Sequence, residues 1–120
     1  MIQEDKELLL RDLCARLPYG LMCDRGGRAR KLLSVSPDKK YCIELANGEY
    51  MPNEYRITDV KPYLRHMSDM TEEEETYYNT VYTMLKFYEK ENWLNAHHFD
   101  YRGMIEKGLA LKAKEGMYEL

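Results

Sequence analysis

The first hydrophobic pattern of the chain is that of an amphipathic helix. Leu9, Leu13 and Leu17 recur every four residues, and apolar neighbours widen the same stripe. Pro18 ends the pattern, because the residue before a proline is biased away from helical angles. The spacing predicts a helix over about residues 4–16.

From residue 20 to about residue 60 the apolar positions alternate with polar ones, as in half-buried strands. Turn residues divide this region, among them Arg25-Gly26-Gly27-Arg28, read as a tight turn, and Asn47-Gly48, the dipeptide that a type I′ hairpin favours. Five short strands are predicted, at residues 21–23, 31–35, 41–45, 49–51 and 55–57.

The alternation across the Asn-Gly turn also predicts one buried face of this sheet. Its members are Tyr41, Ile43, Leu45, Ile57 and Val60. About forty residues in five strands are what a small SH3-like antiparallel sheet or barrel needs, and closure would remove exposed strand edges. A curved open sheet covered by helices is the alternative. Residues 60–67 are read as the exit from the sheet.

The longest predicted helix runs over about residues 72–90. Thr71 and Glu74 form the pattern of a capping box at its start. Its apolar positions spread over a wide arc, which predicts contact with two neighbours. The arc contains Tyr77, Tyr78, Val81, Tyr82, Met84, Leu85 and Tyr88.

A segment from Trp93 to Leu109 is predicted to dock against that helix. Asp100 is a good N-cap for a helix over 101–107, and Gly108 with Leu109 fits a Schellman ending that brings Leu109 to Met104. Gly103 lies inside this predicted helix, so a close approach by Trp93 is one explanation for it and a neutral glycine the other. Residues 109–120 are read either as a terminal hairpin or as an ordered tail.

Composition indicates one α+β domain over residues 1–120. It has a helix at 1–18, a small β-barrel-like part at 19–66 and a helical part at 67–120. The chain is 44% hydrophobic and 32% charged, the values of a globular protein. No apolar run approaches the ~20 residues of a membrane span, and the first residues are acidic, so we expect a cytoplasmic protein without a membrane partner.

No motif indicates catalysis or a bound cofactor. Cys14, Cys23 and Cys42 lack the spacing of a zinc site and are read as reduced core residues. His97 and His98 with Asp100 are the one cluster that invites a metal or acid–base hypothesis, but adjacent residues on a helix diverge by about 100°. We therefore expect no metal and no cofactor, and a binding protein in preference to an enzyme, with a small hydrolase built on this cluster as the second alternative.

Charge is segregated along the chain although its net value is only −3. Between Asp24 and Lys40, six cations oppose two aspartates, a net +4. These cations are ordinary solvated surface on one interpretation and a site for a phosphate or an acidic partner on the other. The candidate partner-binding residues are Arg25, Arg28, Arg30, Lys31, Lys39 and Lys40. The acidic run from Asp69 to Glu75 is interpreted as a well-capped helix start.

Three runs in the second half carry a resemblance to other proteins: VKPYLR at 60–65, MSDMTEE at 67–73, and WLNAHHFDYRG at 93–103 followed by IEKGLA at 105–110. They resemble a set of small uncharacterised proteins of gut anaerobes and their phages or mobile elements. The resemblance implies a mobile-element context and a shared fold, and it transfers no functional residue. The leading hypothesis is an interaction or accessory protein that binds a protein partner, and the alternative is a small nucleic-acid-binding protein. The oligomeric state stays open.

Overall fold

The computed structural model describes residues 1–36, 42–46 and 53–118. Within these ranges the chain is α+β, with an N-terminal helix, a six-stranded mixed sheet and further helices. The helices are α1 (Gln3–Arg16), α2 (Glu72–Asn79) and α3 (Phe87–Ala96). The strands are β1 (Met22–Arg25), β2 (Arg28–Val35), β3 (Cys42–Leu45), β4 (Asn53–Arg56), β5 (Lys61–Leu64) and β6 (Leu111–Lys112).

The sheet has the order β4-β3-β2-β1-β5-β6. Neighbouring strands pair in antiparallel fashion from β4 to β5, and β5 pairs in parallel with β6. Four of the five predicted strands correspond to β1 through β4 with shifted ends, while Tyr41 and the predicted strand at 49–51, together with the Asn47-Gly48 turn, lie outside the described residues. The prediction missed β5 and β6.

Residues 60–67 do not leave the sheet as predicted, because Lys61–Leu64 returns to it as β5. Pro62 made this strand hard to recognise, since proline cannot donate to a ladder. Pro62 lies opposite Cys23 of β1, and pairing with β6 begins only at Tyr63. At Pro62 the strand therefore pairs with β1 alone, so the N–H group that proline lacks is not required for pairing with a second strand.

The core lies between α1 and the sheet. Leu9 and Leu13 of α1 are fully buried, as the four-residue spacing predicts. Ile43, Leu45 and Ile57 are also fully buried and Val60 is 2% exposed, which confirms the predicted face of the sheet. The remaining apolar members of this cluster are Leu21, Cys23, Leu32, Leu64, Met104, Leu109 and Ala110.

The predicted helix over 72–90 is wrong. Its capping box is confirmed: Glu74 N–H donates to the Thr71 hydroxyl (3.2 Å), and Thr71 N–H donates to the Glu74 carboxylate (2.9 Å). However, α2 ends at Asn79, residues Val81–Met84 form a 3₁₀ turn, and α3 starts afresh at Phe87. Thr80 leaves helical geometry with φ −123° and ψ −86°, and its hydroxyl donates to the Thr76 carbonyl at 2.6 Å. Threonine side chains that bond nearby backbone in this way compete with helix continuation.

The predicted helix over 101–107 is replaced by consecutive turns. Asp100 still satisfies free N–H groups, because its carboxylate accepts from Met104 (2.8 Å) and Ile105 (2.9 Å). The Schellman ending is confirmed, since Leu109 N–H donates to the Met104 carbonyl (2.9 Å) and Gly108 N–H to the Ile105 carbonyl (3.0 Å).

Gly103 is explained by its backbone angle and not by a close neighbour. Its φ is +71°, and an added Cβ would meet no heavy atom within 4 Å. The predicted approach of Trp93 to this glycine is therefore wrong. A glycine fits here because other residues adopt positive φ only at a cost.

The end of the described chain is held by one side chain. After β6, a turn at Glu115-Gly116 brings Tyr118 back to the sheet. The Tyr118 hydroxyl accepts from Met22 N–H (2.9 Å) and donates to the Tyr63 carbonyl (2.7 Å), and it thereby joins β1 to β5. Residues 111–112 pair with β5, and so they are not one arm of a separate hairpin.

Candidate functional site

The basic segment forms the hairpin between β1 and β2. Gly26 and Gly27 are its two central residues, with φ +63° and +83°. Two positive φ values in a two-residue loop are those of a type I′ turn, which matches the twist of the flanking strands. The tight turn predicted at Arg25-Gly26-Gly27-Arg28 is confirmed.

The register of this hairpin places the predicted partner-binding residues on two opposite faces of the sheet. Arg25 pairs with Arg28, and Arg30 pairs with Cys23. Because side chains alternate along a strand and directly paired residues share a face, these three arginines lie on the face of Cys23. Lys31 lies on the opposite face. Lys39 and Lys40 lie outside the described residues.

The arginine face carries an aromatic neighbour. The Arg25 guanidinium lies 5.3 Å from the centre of the Tyr55 ring, within the range of a cation–π contact. Arg25 and Arg28 are exposed and Arg30 is half-buried. The structure thus brings together three of the predicted residues at one end of the sheet, beside an aromatic ring that the sequence did not connect with them.

The His97, His98 and Asp100 cluster does not converge on one point. Among the described residues, no group of three or more histidine, cysteine or acidic side chains could hold a metal ion. Asp100 is engaged with backbone N–H groups, and His97 Nδ1 lies 2.7 Å from the Glu74 carboxylate. His98 turns away from His97 because its φ is +62°, rare for a residue other than glycine. This arrangement lends no support to a hydrolase.

His98 is a buried structural side chain. It is 6% exposed, and its ring stacks on Tyr118 with centres 3.6 Å apart. Burial, together with the nearby positive charges of Arg16 and Arg65, lowers the pKa of His98 to about 4. The ring is therefore neutral at pH 7 in the folded protein.

His97 belongs to a buried network around Glu74. The Arg65 guanidinium donates twice to the Glu74 carboxylate, at 2.6 and 2.8 Å, and also to the backbone carbonyls of Asp69 and His97. Burial raises the pKa of Glu74, but the hydrogen bonds from Arg65, Thr71 N–H and His97 outweigh it and lower this pKa to about 2. The network fixes the start of α2 on the end of β5, which is a structural role.

A second buried network lies under α1. Arg16, fully buried, donates to Asp12 (2.9 Å) and to the Phe99 carbonyl (2.6 Å). Arg102 donates to the other oxygen of Asp12 at 2.9 Å. These contacts tie α1 to the segment after α3. Sequence spacing gave no sign of the contacts from Arg16 to Phe99 and from Arg102 to Asp12, because they join residues that are 83 and 90 positions apart.

The cysteines show no activated nucleophile. Burial, with a smaller effect of the nearby Asp12 charge, raises the pKa of Cys23 to about 12, and burial also raises the pKa of Cys14. A raised pKa keeps the thiol protonated and weakly nucleophilic. Cys23 is a core residue as predicted, whereas Cys14 is exposed and Cys42 is half-buried.

A cleft of about 440 Å³ opens between the start of α2 and the segment after β6. Both signs of charge line it, since Lys112 and Lys114 occur there with Asp69 and Glu115, and Lys112 forms an ion pair with Asp69 at 3.5 Å. The Arg65 guanidinium at this cleft is already bonded to Glu74 and to backbone carbonyls. Its mixed charges select no particular ligand.

The most unusual surface is an exposed apolar one, and the sequence prediction placed three of its four members in a buried arc. Val81, Met84, Phe87 and Tyr88 are 46%, 86%, 77% and 59% exposed. We call these four residues the apolar ridge. The other exposed large hydrophobic residues of the described chain are Met1, Ile2 and Leu33. Four of the seven exposed large hydrophobic residues of the described chain therefore lie within eight positions.

An aromatic cluster joins the 3₁₀ turn to α2 and α3. Trp93 of α3 stacks on Tyr77 of α2 with centres 5.2 Å apart, and Tyr78 stacks on Tyr82 at 4.5 Å. Trp93 also meets Tyr82 edge-on at 5.6 Å. These contacts confirm that Trp93 docks against the element that begins at Glu72. They also hold the 3₁₀ turn of Val81–Met84 between the two helices.

Comparison of the chain with protein-family models, with curated proteins and with solved structures found no match. In the described part of the chain, none of the helices combines the length and the apolar character that crossing a membrane requires.

The sequence prediction missed the apolar ridge because it treated residues 72–90 as one helix with a buried arc. Met84, Tyr88 and Val81 belonged to that arc and are exposed instead. A signal was present in the threonines at 76, 80 and 83, which favour competing local hydrogen bonds over a continuous helix.

Proposed function

We propose that this protein acts by binding another protein through the apolar ridge of Val81, Met84, Phe87 and Tyr88. The supporting observation is the exposure of these four side chains together. A large side chain offers about 150–250 Å², so the exposed parts amount to on the order of 500 Å². Apolar residues exposed singly are ordinary, whereas four within eight positions approach in summed area the largest apolar patch of a typical monomer, which is often functional.

The aromatic contacts that hold the 3₁₀ turn of Val81–Met84 also favour a docking role. Exposed apolar residues on a mobile segment would lose much of their binding energy to ordering. Here the 3₁₀ turn lies between α2 and α3, and the stacked rings of Tyr77, Tyr78, Tyr82 and Trp93 brace it. The apolar ridge is therefore presented in a defined geometry.

Site-specific photo-crosslinking in the native cell tests this proposal. A photoreactive phenylalanine analogue at Phe87 is expected to give a discrete protein adduct. The same analogue at Ile2, which is 63% exposed but lies far along the chain, is the matched control. Equal crosslinking from both positions, or no adduct from Phe87, would remove the docking role.

The resemblance of the second half to proteins of phages and mobile elements favours an accessory role, with a partner encoded by the same element. Sequencing of the adduct from Phe87 tests this part directly. A partner encoded elsewhere in the host genome would contradict the mobile-element role and leave the docking role intact.

The β-part supports the further proposal of an SH3-like barrel. The support is the antiparallel order β4-β3-β2-β1-β5 with a 3₁₀ turn at Ile57–Asp59 before β5. β1 and β4 are separated by two strands, about 14 Å in a flat sheet, yet Arg25 contacts Tyr55. Such contact favours a strongly curled sheet. Nuclear Overhauser contacts between these side chains are expected, and their absence would contradict closure.

A single domain over residues 1–120 is the organisation we propose. The buried core joins α1, the sheet and Met104, and Arg65 and Tyr118 bond across the boundary between the β-part and the helical part. One cooperative unfolding transition is expected, with coincident circular dichroism and tryptophan fluorescence. Two separate transitions would show independent parts.

A second candidate function is binding of a nucleic acid or another polyanion at the β1–β2 hairpin. The observation that favours it is the common face of Arg25, Arg28 and Arg30 beside the Tyr55 ring. Arginine with an aromatic ring suits phosphate and base contacts. The net charge of −3 gives no general attraction to nucleic acid, so this site would have to act alone.

A further inference from the structure

We propose that the apolar ridge takes a basic protein segment, one in which apolar anchor residues are flanked by lysine or arginine. This inference rests on the docking role proposed above, and it names the chemistry of the partner.

The surroundings of the apolar ridge are acidic. From Asp69 to Glu91, seven carboxylates oppose Lys86 and Lys90, a net −5 along this stretch of the sequence. Two of the seven are paired with cations from outside the stretch, Glu74 with Arg65 and Asp69 with Lys112 at 3.5 Å, which leaves a balance of −3. The ammonium of Lys90 is directed onto the Tyr82 ring at 5.4 Å. The surface that leads to the apolar ridge therefore attracts positive charge.

Three of these carboxylates form no ion pair within the described ranges. Glu72, Glu73 and Glu75 are exposed, and no ion pair joins them to another residue of the described ranges. Glu74 between them is the opposite case, because Arg65 and His97 bind it and it is buried. They stabilise the positive end of the α2 dipole, and because they are exposed they remain accessible to a partner.

The distances suit one short segment. α2 has eight residues and is about 12 Å long, so the exposed carboxylates lie within two or three helical turns of the 3₁₀ turn that follows. An apolar area on the order of 500 Å² is smaller than the roughly 800 Å² that one partner buries in a standard interface. Apolar anchors on the apolar ridge with cations along α2 fit a helix or extended peptide of about fifteen residues.

The negative charge around the apolar ridge favours a basic protein segment over other possible partners of this surface. A nucleic acid or an anionic membrane surface is repelled by the net negative charge of this region. A second copy of this chain is the remaining occupant, since its own arginine face at the β1–β2 hairpin is positive. Sedimentation velocity distinguishes it, because self-association would rise with concentration and disappear on substitution of the apolar ridge.

The test uses three synthetic amphipathic peptides of fifteen residues with one shared apolar face. Their polar faces carry lysine, glutamine or glutamate. Binding to the full chain is measured by fluorescence anisotropy at low salt. The lysine peptide is expected to bind about tenfold more tightly than the glutamine peptide and to weaken with salt, and the glutamate peptide is expected to bind weakest.

Two variants locate the effect. Met84→Glu/Phe87→Glu makes the protein more negative, so purely electrostatic binding of the lysine peptide would increase, whereas docking on the apolar ridge requires that it fall. Glu72→Gln/Glu73→Gln/Glu75→Gln leaves the apolar ridge intact and is expected to abolish the preference for lysine. Circular dichroism and melting curves confirm that each variant is folded.

The outcomes separate the two proposals. Binding that depends on the apolar ridge but is equal for the three peptides would overturn the basic partner and leave the docking role standing. No binding that depends on the apolar ridge, for any peptide, would overturn the docking role itself. Concentration-dependent self-association through the apolar ridge would assign the surface to a second copy and overturn the basic segment.

Discussion

Arg65 at the end of β5 holds Glu74 of α2 by two hydrogen bonds of 2.6 and 2.8 Å, and both side chains are buried. The carboxylate that completes the capping box of α2 is thus also the counter-ion of a buried arginine. This pair joins the sheet to the helical part, since Arg65 N–H also donates to the His98 carbonyl and its carbonyl accepts from Asp100 N–H.

Glu74→Gln is expected to destabilise the protein by about 3 kcal/mol, because it leaves the Arg65 guanidinium buried without its counter-charge. Chemical denaturation measures the change. Glu73→Gln, an exposed neighbour on the same helix turn, is the control and should stay within about 0.5 kcal/mol of the wild type. Equal effects at the two positions would show that the buried pair is unimportant.

The same pair predicts a loss of stability in acid. The pKa of Glu74 is lowered from 4.5 to about 2, so its contribution is present above pH 4.5 and is lost as the pH falls toward 2. Denaturation curves between pH 5 and 2 should show a steeper decline for the wild type than for Glu74→Gln. Parallel curves would contradict the lowered pKa.

His98 predicts a second loss of stability, at higher pH. Its pKa is lowered from 6.5 to about 4, so the unfolded chain binds the proton first as the pH falls. The stability it contributes is complete above pH 6.5 and is lost between pH 6.5 and 4, up to about 3 kcal/mol. His98→Asn keeps a residue that tolerates positive φ but removes the titration, so its stability should vary less across this window. A pH slope for His98→Asn equal to that of the wild type would contradict the lowered pKa of His98.

Ile43→Ala is expected to destabilise the fold by about 2–5 kcal/mol, because Ile43 is fully buried in the core between α1 and the sheet. Leu33→Ala is the control on the neighbouring strand, where the side chain is 43% exposed, and it should cost less than about 1 kcal/mol. Urea denaturation of both variants checks the difference. A change below about 0.5 kcal/mol for Ile43→Ala would place this residue outside the core.

Gly103→Ala and Gly103→Leu are expected to cost similar amounts, about 1–2 kcal/mol each. The cost arises from the positive φ of +71°, which any side chain disfavours, while the space around the position is open. Fluorescence of Trp93, the one tryptophan of the chain, should not change in either variant. A much larger cost for leucine with a shifted emission would show that Gly103 is packed closely after all.

The register of the β1–β2 hairpin predicts that Arg28 and Lys31 differ in their effect on nucleic-acid binding. If the second candidate function holds, Arg28→Glu should weaken binding of a nucleic acid at low salt by tenfold or more, because Arg28 shares the face of Arg25 and Arg30. Lys31→Glu reverses a charge on the opposite face and should have a much smaller effect. A titration in which wild type does not bind, or in which both variants bind equally, leaves the hairpin as solvated surface.

Local chemistry let the sequence determine several elements by itself. The spacing of Leu9 and Leu13 defined α1, Thr71 and Glu74 defined the start of α2, and Gly108 with Leu109 defined a Schellman ending. Alternation around Ile43 and Leu45 identified the buried face of the sheet. Each of these signals involves residues a few positions apart, where helical or strand geometry alone fixes the neighbours.

Tertiary structure decided what depends on residues far apart in the chain. It added β5 and β6, whose partners are β1 and each other, and it divided the predicted basic residues by the register of one hairpin. It also interrupted the predicted helix at Thr80 so that Trp93 stacks on Tyr77, which leaves Met84 and Phe87 exposed. A periodic apolar pattern predicts which face of a helix can be buried, but it does not show whether another element of the protein packs against that face. That choice depends on long-range packing, and here it left Val81, Met84 and Tyr88 of a predicted buried arc exposed in the candidate docking surface.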